Sequence, residues 1–334
     1  MRRAGEAVAL AWAISLILSL ACDDGGSDGD GDADTDVDAD SDTDSDGDGD
    51  SGSDEIVIST QALEEARLGL PYQLVLEAEG GQAPYTWDVI EGALPDGIAL
   101  DPTSGTLSGS PRETGSFPIT IEVADGSEPA LTASAVFDLV VPRVVLLGGY
   151  GPWAGYPVNP AWEAIRPLDG ARIADLEVRA FMVEVVWDVA WDQYQDHLDL
   201  DLPPAATIGT GVAGGMSQLF SLERRAVNRE DGVDVEGNGR SGDPVVEGGP
   251  DELASTLPLD EIGAALFEAD IDWTYSDSAG TYLCNHLFYH LVDGTQGTDI
   301  AAGFIHINDG DGTVPIEDLT AGWRIIIEAL AGAI

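Results

Sequence analysis

Lysine is missing from this 334-residue sequence. All thirteen basic residues are arginine, set against 62 acidic residues, for a formal net charge of −49. Without lysine there is no Schiff-base or lysine-based catalysis. So little positive charge also argues against nucleic acid as a partner, because phosphate binding requires clustered basic residues. Cysteine is nearly absent as well. Only Cys22 and Cys284 occur; Cys22 ends an apolar leader, and no second thiol is left in the mature chain to give Cys284 a structural disulfide. Histidine is limited to four residues. His286 and His290 stand four apart on a predicted helix, but there is no HExxH glutamate and no further clustered ligand, so neither a metal nor a cofactor is implied. Beyond the leader, no segment approaches the roughly 20 apolar residues of a membrane-spanning helix.

The leader itself is informative. Arg2 and Arg3 precede an apolar stretch from Ala7 to Leu20, which reads as an export signal over residues 1–22. Ser19-Leu-Ala-Cys22 resembles the bacterial lipobox, which implies lipid attachment at Cys22. The expected location is extracytoplasmic, lipid-anchored to a bacterial membrane; an ordinary signal peptide cut nearby also exports the chain. Residues 23–54 hold fifteen Asp and no basic residue, leaving −34 for the rest of the chain. With almost nothing apolar to bury, this segment is expected to be a disordered acidic tether, extended by its own repulsion. Its Asp-x-Asp-x-Asp-Gly runs resemble part of a calcium loop but lack a closing bidentate Glu and flanking helices. Weak calcium association is compatible with the tether; a defined calcium site is the poorer fit.

From residue 55 to 142 the texture changes to short β-rich runs. Tyr72-Gln-Leu-Val-Leu-Glu, Ile119-Thr-Ile-Glu-Val and Ala135-Val-Phe-Asp-Leu-Val alternate with the period of half-buried strands. Turn signals at Gly80-Gly81, Pro95-Asp-Gly97, Pro102-Thr-Ser-Gly105 and Asp125-Gly126 are spaced as in a small all-β sandwich. The runs Ala83-Pro-Tyr-Thr-Trp87, Leu94-Pro-Asp-Gly-Ile98, Gly105–Pro111 and Gly115-Ser-Phe-Pro-Ile119 resemble the immunoglobulin-like, cadherin-like modules of bacterial surface proteins. That resemblance implies a spacer or adhesive unit.

Residues 143–334 read differently again. Val144–Leu147 is a continuous apolar run entering a Gly-rich loop, Gly148–Gly155, and Ala205–Gly209 leads likewise into Gly211–Gly215. Ile271–Tyr275 and Ala302–Ile307 are further short strands, with helical patterns at Glu261–Glu268 and Leu283–Leu291 between them. Buried strands alternating with helices predict an α/β sheet covered on both faces. In such sheets ligands bind where strands end and loops begin. Cys284 follows one of these strands and a Ser278–Thr281 turn, with Thr281 the expected N-cap and Leu283, Leu287, Phe288 and Leu291 the buried stripe. A thiol in the first turn of a helix lies at the positive end of its dipole, which favours thiolate. Taken alone, Cys284 fits a buried structural cysteine better, His306 a satisfied core histidine, and Glu223 beside two arginines a surface ion pair. Together they form a candidate Cys–His–Glu set of nucleophile, base and orienting carboxylate.

On these residues the domain resembles pyroglutamyl peptidase I, a cysteine peptidase that removes N-terminal pyroglutamate. Gly149-Tyr-Gly-Pro-Trp153 with Val158-Asn-Pro160 is similar to the family's Gly-Phe-Glu-Pro-Phe loop and following Asn-Pro. Ala213-Gly-Gly215, Glu223-Arg224 and Ala226-Val-Asn228 resemble its glutamate motif. Ser255–Pro258, Ala279–Tyr289 and Gly303–His306 follow in the family's order. The resemblance implies Cys284 as nucleophile, His306 as base, Glu223 as orienter, Tyr150 and Trp153 as aromatic holders of the lactam, and Asn159 as the residue fixing that loop. It implies a phosphorylase/hydrolase-like α/β/α sandwich and peptides with an N-terminal pyroglutamate as partners. Two departures stand out: Val233 replaces a family Arg, and Val212 replaces a Gln of some relatives. The rival expectation is a catalytically altered or inactive homologue that acts as a surface peptide-binding or adhesion protein.

Overall fold

A computed structural model describes residues 55–153, 156–308 and 313–334. Cys22, the leader, the Asp-rich segment and the end of the Gly-rich loop at 154–155 lie outside the described residues. Among the described residues no helix is long and apolar enough to cross a membrane.

The N-terminal part is built from two three-stranded antiparallel sheets. One pairs Tyr72–Val75, Thr106–Gly109 and Ile98–Asp101; the other pairs Thr86–Glu91, Gly115–Ala124 and Thr132–Val141. Alternation along Gly115–Ala124 sends Ile119, Ile121 and Val123 inward, where they meet Trp87, Leu107 and Phe137. Gly105 adopts φ +67°, and a β-carbon there would lie 2.7 Å from the Trp87 indole nitrogen, so both the turn and the packing require glycine. Only Pro142 separates the last of these strands from the next domain. The two parts share a core: Ala66, Leu68, Leu139 and Val141 pack in one cluster with Val144, Leu146 and Phe181. Arg67 and Arg179 converge on the buried carboxylate of Glu177, at 2.8 Å and 3.1 Å through their Nε atoms.

The C-terminal part is organised on a seven-stranded sheet. Its strands are β1 (Arg143–Tyr150), β2 (Arg172–Ile173), β3 (Leu176–Val183), β4 (Ala206–Ala213), β5 (Phe220–Glu223), β6 (Trp273–Ser276) and β7 (Ala301–Asn308), in the spatial order β2-β3-β1-β4-β7-β5-β6. The four central strands β3, β1, β4 and β7 are parallel, whereas β5 runs antiparallel to β7. The helices are α1 (Pro160–Ile165), α2 (Val189–Gln195), α3 (Leu259–Glu268), α4 (Leu283–Gly294) and α5 (Ile316–Ala333). Side chains divide by strand parity. Val145, Leu147, Ile208, Ile305 and Ile307 face α1, α3 and α5, whereas Val144, Leu146, Ala302 and Phe304 face α2 and α4. Strands buried on both faces explain why they read as continuous apolar runs rather than alternating ones.

The expectation that Thr281 caps α4 does not hold. The helix begins at Leu283 after an extended Tyr282, with no side-chain cap. Thr281 instead gives its carbonyl to the amide of Asp231 at 2.7 Å, so this residue is drawn into a neighbouring hairpin.

Candidate active site

Three elements bring the site together on the α2/α4 face of the sheet. In β7, His306 has the same parity as Ala302 and Phe304 and therefore points toward α4. In β5, Ser221 stands opposite His306, and Glu223 is the next residue of that parity. The predicted trio meets here although 83 residues separate Glu223 from His306. His306 Nδ1 lies 2.8 Å from Glu223 Oε1, and both side chains are buried. Ser221 Oγ donates to the same carboxylate oxygen at 3.1 Å. On its other side His306 lies beside Cys284, the second residue of α4, which acts on its proton affinity. Burial alone would lower the pKa of His306. The charge and hydrogen bond of Cys284, with the contact to Glu223, outweigh it and push the value up to about 10.

The sulfur needs room, and β4 provides it. Gly211 pairs with His306 in the parallel ladder, and a β-carbon on it would sit 2.8 Å from Cys284 Sγ. The first amides of a helix have no carbonyl partner within it, so the N–H groups at the start of α4 are available beside the thiol.

A small cavity of about 70 Å³ opens onto Cys284, lined by Tyr150, Trp153, Tyr156, Asn159, Val212 and Tyr282 together with Val185 and Leu283. Tyr150 forms a buried wall. Its hydroxyl donates to the Leu283 carbonyl at 2.6 Å, and burial, with Cys284 nearby, raises its pKa well above that of ordinary tyrosine. Trp153 is 37% exposed at the mouth and stacks at a tilt on Tyr156, centroids 5.4 Å apart. Asn159 is committed to its own loop: Nδ2 donates to the Gly151 carbonyl at 2.9 Å and Oδ1 caps α1 through the Ala161 amide at 3.0 Å. Sequence reasoning missed Tyr156, Val185 and Tyr282 as lining residues; Tyr282 lies inside the cysteine motif and is the one that a motif reading had within reach.

Val233, the family-Arg position, lies in a hairpin of Glu230–Val233 and Gly239–Asp243 and is 61% exposed. Its carbonyl accepts the Tyr282 hydroxyl at 2.9 Å. Just beyond the thiol, Asn285 is fully buried. It accepts from the Val227 amide at 2.8 Å and donates to the carbonyls of Val227 (2.8 Å) and Arg229 (3.0 Å). His286 and His290 have ring centroids 4.6 Å apart, but no group of three or more potential ligands occurs among the described residues.

A thiol, an imidazole and a carboxylate in line beside an apolar cleft define the chemical class of a thiol-dependent acyl-transfer site. Comparison with known proteins names the family. The pyroglutamyl peptidase family model matches residues 143–317, and the chain belongs to that family. The model described as "Putative Ig domain" matches residues 55–142. A pyrrolidone-carboxylate peptidase of Cupriavidus necator is 37% identical over 170 residues, covering 49% of this chain and 78% of that protein. One from Chromobacterium violaceum is 36% identical over 197 residues, covering 56% and 91%. Among solved structures, pyroglutamyl peptidase I of Bacillus amyloliquefaciens matches with a TM-score of 0.54 at 30% identity, over 57% of this chain and 97% of the other. A mutant pyrrolidone carboxyl peptidase of Pyrococcus furiosus matches with 0.53 at 31%, over 57% and 100%.

Proposed function

We propose that this protein is a cysteine peptidase that hydrolyses the amide bond following an N-terminal pyroglutamate. The observation that carries this reading is the buried His306–Glu223 pair set beside Cys284, on a chain whose relatives are named for that activity. With His306 protonated, Cys284 is the thiolate that attacks the carbonyl carbon of the pyroglutamyl residue. Amide donors at the start of α4 stabilise the oxyanion. The C–N bond then breaks as His306 gives its proton to the departing amine, leaving a thioester. Water, deprotonated by His306, attacks the thioester, and pyroglutamate leaves with regeneration of the thiolate. Glu223 accepts from Nδ1–H throughout and keeps Nε2 directed at the sulfur. Tyr150 and Trp153 offer flat apolar faces to a compact neutral lactam, and Asn159 holds the loop that follows Tyr150 and carries Trp153.

The finer architecture belongs to the same proposal: an α/β/α sandwich at 143–334 behind an immunoglobulin-like sandwich at 55–142, an acidic tether at 23–54 with weak calcium association, and a lipoprotein signal at 1–22. A lipid on Cys22 would place the peptidase outside the cytoplasm, on a bacterial membrane. Mass spectrometry of the mature N-terminus checks this: an unmodified terminus or retained leader sinks the anchor. The central test is release of a fluorophore from a pyroglutamyl-amide by the reduced protein beside Cys284→Ala. Turnover that disappears in the variant supports the reading; a folded, reduced protein without turnover defeats it.

A further inference from the structure

The mechanism leaves unused a second buried histidine–carboxylate pair on the helix that carries the thiol. His286, two residues beyond Cys284, is enclosed, and its Nδ1 lies 2.7 Å from Glu230 Oε1. Glu230 is also buried, and its second oxygen accepts from Arg240 Nε at 2.9 Å. Arg240 Nη2 reaches Asp188 Oδ2 at 2.7 Å, and the guanidinium lies over the Trp187 ring, 5.7 Å from its centroid. That ring stands edge-on to both Tyr282 and His286, at 5.2 Å and 5.5 Å. One arginine therefore touches, directly or through a single neighbour, residues on both sides of Cys284.

Two further features agree. Asp188 adopts φ +60° and ψ −42°, a costly conformation for a residue with a side chain, and it carries the carboxylate that holds Arg240. Gly232 pairs with Arg240 across the hairpin, and a β-carbon on Gly232 would lie 2.7 Å from the Tyr282 ring. Cross-strand partners share a face, so Arg240 stands on the side of the hairpin turned toward α4, while Val233 faces away.

We propose, resting on the reading of Cys284 as nucleophile, that Arg240 is a positioning residue for the reaction: it neutralises buried Glu230, which holds His286 and thereby fixes the first turn of α4 and the direction of the thiol. Without Arg240 the buried carboxylate is left uncompensated, and its geometry against His286 changes. A small displacement of a nucleophile is sufficient to cost a large factor in rate.

The test uses the full chain with Arg240→Ala, Arg240→Lys, Glu230→Gln and the double substitution Arg240→Ala/Glu230→Gln. Each is read by pyroglutamyl-amide turnover, by the rate of Cys284 alkylation with iodoacetamide, and by thermal unfolding. Arg240→Ala should lower kcat by about tenfold or more with KM changed less than about twofold, and should slow alkylation by a similar factor. Arg240→Lys keeps the charge without the planar fork and should recover part of the loss. Glu230→Gln should also recover part of it in the Arg240→Ala background, because the carboxylate that needed neutralising is gone. If Arg240→Ala does not fold, the lysine variant and the double variant carry the same comparison. A folded Arg240→Ala with kcat and alkylation rate within about twofold of the original chain, or independent multiplying losses in the double variant, overturns the proposal. Should the unsubstituted chain alkylate readily yet fail to turn over pyroglutamyl-amide, the substrate reading falls and alkylation rates alone decide the role of Arg240.

Discussion

Gly211 and Cys284 are in such close approach that a single added methyl group would lie 2.8 Å from the sulfur, and 3.3 Å from the rings of Phe304 and Tyr150. The thiol has no free space on the side of the sheet, so its position relative to His306 is set by the absence of a side chain at 211. Gly211→Ala is expected to fold with a loss of roughly 1–3 kcal/mol from overpacking. It should reduce kcat/KM by about tenfold or more as the sulfur is displaced. Thermal unfolding and steady-state kinetics on one preparation separate the two effects.

Glu223 is buried, and one of its oxygens holds both His306 and Ser221. Replacing Glu223 by Gln preserves shape but allows the amide to present a donor to Nδ1, which selects the wrong tautomer. The expected loss in kcat is about 10²–10⁴-fold with the fold intact. Kinetics with circular dichroism checks it; a loss under about threefold would remove Glu223 from the mechanism.

His306 predicts a pH dependence of stability. Its pKa in the folded protein, about 10, lies above the ordinary value of 6.5. A group whose folded pKa is raised binds its proton more tightly in the native state, so its contribution is complete below about pH 6.5 and is lost as pH rises through about 10. Melting temperature should therefore fall across that interval. In Cys284→Ala, which removes two of the influences that raise the value, the fall should be smaller and should be complete at a lower pH. Equal pH profiles for the two proteins would refute the ion-pair description.

Tyr150 ties the cavity wall to the start of α4 through the Leu283 carbonyl. Tyr150→Phe keeps the ring and deletes that bond, with an expected cost of about 1 kcal/mol. If the aromatic face holds the lactam, KM should change little and kcat should carry most of the loss. A large rise in KM alone would mean that the hydroxyl's anchoring, rather than the ring, shapes the cavity.

Asn285 links α4 to the Val227–Arg229 segment by three hydrogen bonds. Asn285→Ala leaves buried backbone groups unpaired and should cost roughly 2–4 kcal/mol. Denaturant unfolding measures this directly.

Much of this was legible in the residues, and the failures have physical causes. Val144–Leu147, Ala205–Gly209 and Ala302–Ile307 read as buried strands because both faces of the central sheet are covered; they fall on β1, β4 and β7, with only Ala205 just outside its strand. β3 went unread because Glu177 and Arg179 interrupt its apolar run. Glu177 is buried there, paired with half-buried Arg179 and with Arg67, which comes across from 110 residues earlier. The reversed direction of β5 is equally silent in sequence, since a strand's residues do not encode which way its neighbour runs. Thr281 had the composition of a cap but was claimed by the hairpin at Asp231.

By itself the sequence determined the chemistry available: one thiol within 143–334, no lysine, few histidines, and aromatic and glycine motifs in an order shared with one peptidase family. Residue types and local periodicity carry that information, because they depend on neighbours a few positions away. Only the tertiary structure decided which histidine faces the thiol. His286 is the nearer in sequence, two positions from Cys284, yet its Nδ1 is turned to Glu230, while His306 reaches the sulfur from another strand. The choice rests on strand parity, on the ladder that sets Gly211 and Ser221 beside His306, and on the hairpin that claims His286, all of which are contacts between distant parts of the chain.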